Sequence, residues 1–126
     1  MKMRPEIKEL WVEALKSGRY SQARNTLRRG DSFCCLGVLC DLYLNHSKDT
    51  NSEWNFHYSL DAYFVERDSE KKDGEFLPEC VQEWAGIDVS NPAVKPIGCD
   101  DPVPLSALND EGYDFPEIAR LIKNHL

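Results

Sequence analysis

The fold is decided by residues 32–44, which read SFCCLGVLCDLYL. Nearly every position in this stretch is apolar, so a helix formed by it has no face suited to water. Such a helix is buried at the centre of a protein. Gly37 in its interior costs about 1 kcal/mol relative to alanine, which indicates that another backbone approaches the helix closely at this position.

We expect this central helix to begin at Phe33 or Cys34 and to end at Asn45, with Asp31 or Ser32 as its N-cap. The flanking segments are amphipathic, with proline or acidic residues near their starts and glycine after their ends. These signals predict shorter helices at residues 5–17, 77–86 and 105–109. They also predict a last helix capped by Asp114, with Glu117 completing a pair like a capping box.

Residues 19–29 (RYSQARNTLRR) lack a helical stripe and end at the turn pair Gly30-Asp31. They predict a strand or an extended loop that doubles back towards Phe33. In a strand, alternate side chains share one face, which here would be basic, polar and aromatic. That face would carry Tyr20, Gln22, Arg24, Thr26 and Arg28. We expect residues 62–66 to pair with this segment.

Residues 87–104 contain four prolines and predict a surface loop anchored by Val94 and Ile97. The predicted fold class is α+β: a small single domain, residues 1–126, with helices around a central buried helix. A short β-hairpin or small antiparallel sheet completes it. A chain of 126 residues is long enough for one core.

The composition is that of a soluble globular protein, with 41% hydrophobic and 29% charged residues. No apolar run approaches the roughly 20 residues of a membrane span. The first residues lead into an amphipathic segment and do not resemble a signal peptide. We therefore expect a cytoplasmic protein without a membrane partner, whose five cysteines are reduced thiols.

The charge is divided unevenly along the chain. The formal net charge is -7, but residues 1–30 carry eight Lys/Arg against three Glu, and residues 31–126 carry seven against nineteen acids. General nucleic-acid binding requires a basic face, so the acidic balance argues against it.

The spacing of cysteine and histidine predicts no metal site. No Cys-x-x-Cys occurs, and Cys35 and Cys40 lie about 140° apart around a helix, so they do not converge on one ion. No cofactor is predicted either.

No catalytic residue is predicted from the sequence. Cys34, Cys35 and Cys40 lie in the most apolar stretch, where burial makes thiols inert. The acidic pairs Asp100-Asp101 and Asp110-Glu111 are typical of turns, and their use in acid–base chemistry is the alternative.

The basic segment provides the candidate ligand site. Lys16 to Arg29 contains no acid, and arginine suits phosphate and carboxylate groups. The competing interpretation is that these arginines pair with the protein's own acids. An aromatic patch further along the chain could complete a pocket. The candidate ligand-binding residues are Tyr20, Arg24, Arg28, Arg29, Trp54 and His57.

Four blocks carry a family resemblance: residues 28–42, 77–86, 105–112 and 115–122, of which FCCLGVLCDL is the most distinctive. On these blocks the chain resembles a family of small uncharacterised bacteriophage and prophage accessory proteins. The resemblance supplies no catalytic residues. Where the family is glycine-rich before the basic loop, this chain has Ala23 and Asn25.

These observations favour an accessory binding protein that acts by occupancy on a host or defence component. Its ligand would be a phosphate-bearing nucleotide signal or another anionic small molecule. One alternative is a small hydrolase or nucleotide-processing enzyme using Asp100, Asp101 or Asp110 with His57. Another is an acidic protein-docking inhibitor or structural factor without a small ligand. A homo-oligomer is compatible with each hypothesis.

Overall fold

A computed structural model of the protein describes residues 3–47, 52–57, 62–67 and 76–126, which adopt an α+β fold. The predicted fold class is therefore confirmed. The helices are α1 (Pro5–Lys16), α2 (Cys35–His46), α3 (Glu79–Ala85), α4 (Leu105–Asp110) and α5 (Phe115–His125). The strands are β1 (Ser21–Gln22), β2 (Arg28–Arg29), β3 (Ser32–Phe33), β4 (Ser52–His57), β5 (Ala62–Arg67), β6 (Ala93–Val94) and β7 (Val103–Pro104).

The predicted central helix is α2, and eight of its twelve residues are buried. Helices α1, α3 and α4 pack against it. Trp11 of α1 is fully buried, and its indole Nε1 donates a hydrogen bond to the carbonyl oxygen of Cys35 at 2.9 Å. Burial on several sides explains why this helix lacks a polar face.

The close approach predicted at Gly37 is confirmed. A Cβ built on this glycine would overlap the carbonyl oxygen of Leu27 and lie 2.7 Å from its carbonyl carbon. Leu27 itself has no exposed surface, and its carbonyl oxygen also accepts a hydrogen bond from the Cys34 amide at 3.1 Å. The chain before α2 therefore crosses directly over the first turn of the helix.

The predicted N-cap is wrong, because the chain is still extended at Phe33 when it leaves β3. Asp31 lies in the turn between β2 and β3, and Ser32 lies in β3. The N-cap is Cys34, whose Sγ accepts a hydrogen bond from the Gly37 amide at 3.3 Å. A thiol is a weak acceptor and is not among the preferred capping residues.

Residues 19–33 form a three-stranded mixed sheet of order β1-β3-β2 instead of one long strand. β1 runs parallel to β3, and β2 runs antiparallel to it. The single basic face predicted for this segment is wrong, because Asn25 has a left-handed φ of 64° that breaks the alternation. Thr26 and Leu27 then turn inward and are 5% and 0% exposed.

The pairing predicted for residues 62–66 is also wrong. β5 pairs with β4 in an antiparallel hairpin, in which Trp54 lies opposite Val65 and Phe56 opposite Tyr63. The hairpin contacts β2 through side chains and not through a shared backbone ladder.

The C-terminal part contains a short antiparallel pair, β6 and β7, followed by α4 and α5. Val94 is buried as predicted, but Ile97 is 94% exposed and anchors nothing, since it precedes a turn at Gly98, whose φ is 85°. Asp114 and Glu117 form the capping box expected at the start of α5, which packs on α1.

None of the helices in the described residues has the length and apolarity needed to cross a bilayer.

Candidate functional site

An arginine surrounded by aromatic rings is the most distinctive surface feature of the described residues. The guanidinium carbon of Arg28 lies 4.1 Å from the ring centroid of Tyr63, 5.2 Å from that of Phe33 and 5.6 Å from that of Trp54. All three distances fall within the range of cation–π attraction. We call Arg28, these three rings and the adjoining ring of Tyr20 the Arg28 cluster.

The rings of the Arg28 cluster contact one another mainly edge to face. Tyr20 meets Phe33 at 5.1 Å with perpendicular planes, Phe33 meets Trp54 at 6.0 Å, and Trp54 meets Tyr63 at 6.4 Å. Edge-to-face pairs at these separations are attractive. The sheet β1-β3-β2 and the β4–β5 hairpin therefore jointly build one continuous aromatic wall.

Asp41 on α2 fixes two of these rings. Its Oδ2 accepts a hydrogen bond from the Tyr20 hydroxyl at 2.7 Å, and its Oδ1 accepts one from the Trp54 indole at 3.1 Å. Burial raises the pKa of Tyr20 strongly, and the hydrogen bond and charge of Asp41 raise it further. Tyr20 is therefore a permanent donor to Asp41, and the central helix positions the aromatic wall.

Arg28 keeps most of its hydrogen-bonding capacity. Its Nε donates to the Gly30 carbonyl oxygen at 2.8 Å, which orients the guanidinium. Among the described residues, its terminal amino groups have no acceptor, and no acid forms an ion pair with Arg24, Arg28 or Arg29. The two amino groups of an arginine fork match the oxygens of a phosphate or carboxylate.

The structure brings together three of the predicted site residues, namely Tyr20, Arg28 and Trp54. Arg29 is the exposed neighbour of Arg28 in β2 and does not join the aromatic contacts. The candidate site is therefore smaller than the basic segment.

The other two predicted residues do not add to the Arg28 cluster. Arg24 is exposed. Its Nη2 lies near Gly112, at 3.7 Å from the position that a Cβ built on this glycine would occupy. The side chain of His57 lies outside the part of the chain that is described.

Sequence reasoning missed Phe33, Tyr63 and Asp41. Asp41 carried a usable signal, because it is the only charged residue in residues 32–44. A charge inside an otherwise apolar helix needs a partner, so its presence indicates a polar contact with another element. Tyr63 carried no such signal, because its place depends on the β4–β5 register.

Three thiols line the start and interior of α2. Cys34, Cys35 and Cys40 are 3%, 0% and 0% exposed. Burial raises the pKa of Cys34 to about 11 and raises those of Cys35 and Cys40 well above 9.0. Such thiols are protonated at neutral pH and are poor nucleophiles.

Stability is expected to fall above about pH 9, because the unfolded thiols ionise there while the buried ones keep their protons. A thiol whose pKa is higher in the folded state than in the unfolded state contributes to stability. For Cys34 this contribution is complete below the unfolded pKa of 9.0 and is lost as the pH rises through the folded pKa of about 11. The slope is about 1.4 kcal/mol per pH unit for each such thiol. Urea unfolding at about pH 8 and about pH 10 measures the loss.

In Cys34→Ser the slope becomes smaller, and in the control Cys99→Ser, which changes an exposed thiol, it stays the same. Equal stability of the unchanged protein at the two pH values contradicts this account of the buried thiols.

The acidic residues proposed for an enzyme do not form an assembled site in the described residues. Asp100 and Asp101 are exposed, and Asp110 Oδ1 accepts hydrogen bonds from the Asn25 amide at 2.9 Å and Asn109 Nδ2 at 3.3 Å. No three His, Cys, Asp or Glu side chains in the described residues are grouped so that they could hold a metal ion.

No curated protein and no solved structure matches the chain. One protein family matches residues 3–126, which include every described helix and strand. The match therefore includes the blocks that carry Arg28, Phe33 and Asp41. The chain belongs to this family, which is described as Domain of unknown function (DUF8296).

Proposed function

We infer that the protein is a non-catalytic binding protein that holds an anionic ligand, a nucleotide phosphate, at the Arg28 cluster. The supporting observation is the guanidinium of Arg28, which is half-buried and lies within cation–π distance of three rings. No described carboxylate pairs with it. A cation fixed in this way has its remaining donors ready for an anion, and little side-chain entropy is lost when the anion binds.

The aromatic wall supports a nucleotide over a simple anion. Trp54 and Tyr63 are only half-buried, so they offer ring surface beside the arginine. Stacking of a base on an aromatic ring is worth about 1–3 kcal/mol. Arg29, the exposed neighbour of Arg28 in β2, adds positive charge that attracts phosphate towards this face.

We further propose that the protein is phage-encoded and acts by occupancy in the host cytoplasm, sequestering a signal used by a host or defence component. The support is the resemblance of its sequence blocks to phage and prophage accessory proteins. The block of residues 28–42 includes Arg28, Phe33 and Asp41, so the most distinctive block is also the one that builds the candidate site. Five unpaired cysteines suit a reducing compartment.

Arg28→Met is expected to abolish nucleotide binding, because it removes the guanidinium and keeps an apolar side chain against the rings. Thermal-shift screening against linear and cyclic nucleotides, pyrophosphate and inorganic phosphate identifies the ligand. A ligand at a hundred times its dissociation constant adds about 2.7 kcal/mol to the stability of the unchanged protein. We expect Arg28→Met to lose this shift.

Arg29→Met is the matched control, since it removes the neighbouring exposed arginine and should weaken binding only slightly. Mass spectrometry of the ligand released on denaturation separates sequestration, which returns it intact, from turnover. If no compound in the panel shifts the melting temperature, or if Arg28→Met binds as well as the unchanged protein, the inference is wrong. Acidic protein docking or a structural role then becomes the better hypothesis.

A further inference from the structure

A cavity of about 260 Å³ lies beside the start of α2, and its described lining shares no residue with the Arg28 cluster. Its walls come from the loop at Asn25 and Thr26, the N-cap Cys34, the ring of Phe76, and Ser106 and Asp110 of α4. This volume is large enough for a small organic molecule.

Hydrogen bonds to neighbouring segments fix two of these walls. Ser106 is bound twice by Asn91, whose Nδ2 donates to the hydroxyl at 2.8 Å and whose Oδ1 accepts from the Ser106 amide at 3.3 Å. Asn25 has a left-handed φ of 64°, and its amide donates to Asp110 at 2.9 Å. The cavity is therefore formed before any ligand arrives, which lowers the cost of binding.

Asp110 supplies the charge. Its Oδ1 accepts from the Asn25 amide and from Asn109 Nδ2, and these two bonds fix the plane of the carboxylate. Within the described residues, Oδ2 has no donor, and no cation forms an ion pair with Asp110. A positioned carboxylate oxygen without a partner attracts a positively charged donor.

The other described residues of the lining are uncharged. Phe76 contributes a ring and Ala107 a methyl group, and the thiol of Cys34 behaves as a small apolar surface. A small ligand that matches both parts has an apolar planar body and one cationic group. This chemistry is opposite in charge to that of the Arg28 cluster, so the two sites select different molecules.

We propose that this cavity is a second ligand site, which binds a small organic cation, an aromatic amidinium or amine, with its charged group on Asp110 Oδ2. The ring or alkyl body lies against Phe76 and Ala107.

Benzamidinium is the probe, and neutral benzamide is its matched control of nearly the same shape. Ligand-observed NMR titration of the full chain is expected to give benzamidinium an affinity at least about tenfold above that of benzamide. In amide-observed spectra, the largest shifts are expected at Asn25, Ser106 and Ala107. Equal binding of the two compounds, or no binding of benzamidinium, overturns the proposal.

Two variants test the site itself. Asp110→Asn keeps an oxygen that can accept from the Asn25 amide but removes the charge, so we expect benzamidinium to bind at least about tenfold more weakly. Ala107→Met places a larger side chain in the cavity and leaves the Asp110 residue unchanged, so it is expected to abolish binding of the probe. Asp101→Asn, an exposed acid, is the control and should bind it unchanged. Retained affinity in either Asp110→Asn or Ala107→Met overturns the proposal.

Discussion

Replacing Gly37 with alanine is expected to lower the free energy of unfolding by about 3 kcal/mol or more. The new Cβ would overlap the Leu27 carbonyl oxygen and lie 2.7 Å from its carbon, and both are backbone atoms that cannot rotate away. Helix propensity alone favours alanine over glycine by about 1 kcal/mol. A loss of stability therefore indicates the clash, and a gain indicates helix propensity. Urea unfolding monitored by circular dichroism measures the change in the free energy of unfolding.

Relief of this clash requires the chain before α2 to move. Leu27 has no exposed surface, and its carbonyl oxygen accepts the hydrogen bond of the Cys34 amide, so its displacement would also disturb the start of the helix. Arg28 follows Leu27 directly, so we expect Gly37→Ala to weaken ligand binding as well as stability. This coupling connects the central helix to the candidate site.

Gly18→Ala is the matched control for Gly37→Ala. Gly18 has a φ of 78°, and a Cβ there meets nothing within 4 Å, so alanine brings only the strain of a left-handed conformation, about 1–2 kcal/mol. If Gly37→Ala costs no more than Gly18→Ala, the close approach of Leu27 does not restrict position 37.

The helices were predictable because their signals are local. The apolar stretch at residues 32–44 predicted α2, and Asp114 with Glu117 predicted the start of α5. The N-cap of α2 was not predictable in the same way. Cys34 is the N-cap because the chain remains extended through β3 as far as Phe33. The N-cap position therefore results from strand pairing and not from the capping preferences of side chains.

The candidate site was predictable only in part, because its contacts join distant segments. Asp41 binds Tyr20, 21 residues earlier, and Trp54, 13 residues later. The composition indicated that arginine and aromatic residues form the site, but it could not show that Arg28 belongs to the site and Arg24 does not. This difference between the two arginines follows from the left-handed turn at Asn25, a conformation that asparagine tolerates but does not require.

Asn109→Leu is expected to cost about 3–5 kcal/mol, although the sequence marked this residue only as the end of a short helix. Asn109 has no exposed surface. Its Oδ1 accepts from Gln22 Nε2 at 2.8 Å and from the Cys35 amide at 3.2 Å, and its Nδ2 donates to the Ala23 carbonyl oxygen at 2.7 Å. Leucine has a similar shape but leaves the Cys35 amide and the Ala23 carbonyl oxygen without their partner, each at a cost of about 1–3 kcal/mol.

Asn91→Leu provides the comparison for Asn109→Leu. Asn91 also makes two hydrogen bonds to α4, but it is only half-buried, so water can replace the lost partners and we expect a cost near 1 kcal/mol. The hydrogen bonds of Asn109 connect β1 and the following loop to the start of α2, so the loss of this side chain should reduce both stability and ligand affinity. Arg28→Met should reduce affinity with a much smaller effect on stability. If Asn109→Leu unfolds at the same urea concentration as Asn91→Leu, the buried asparagine does not join these segments energetically.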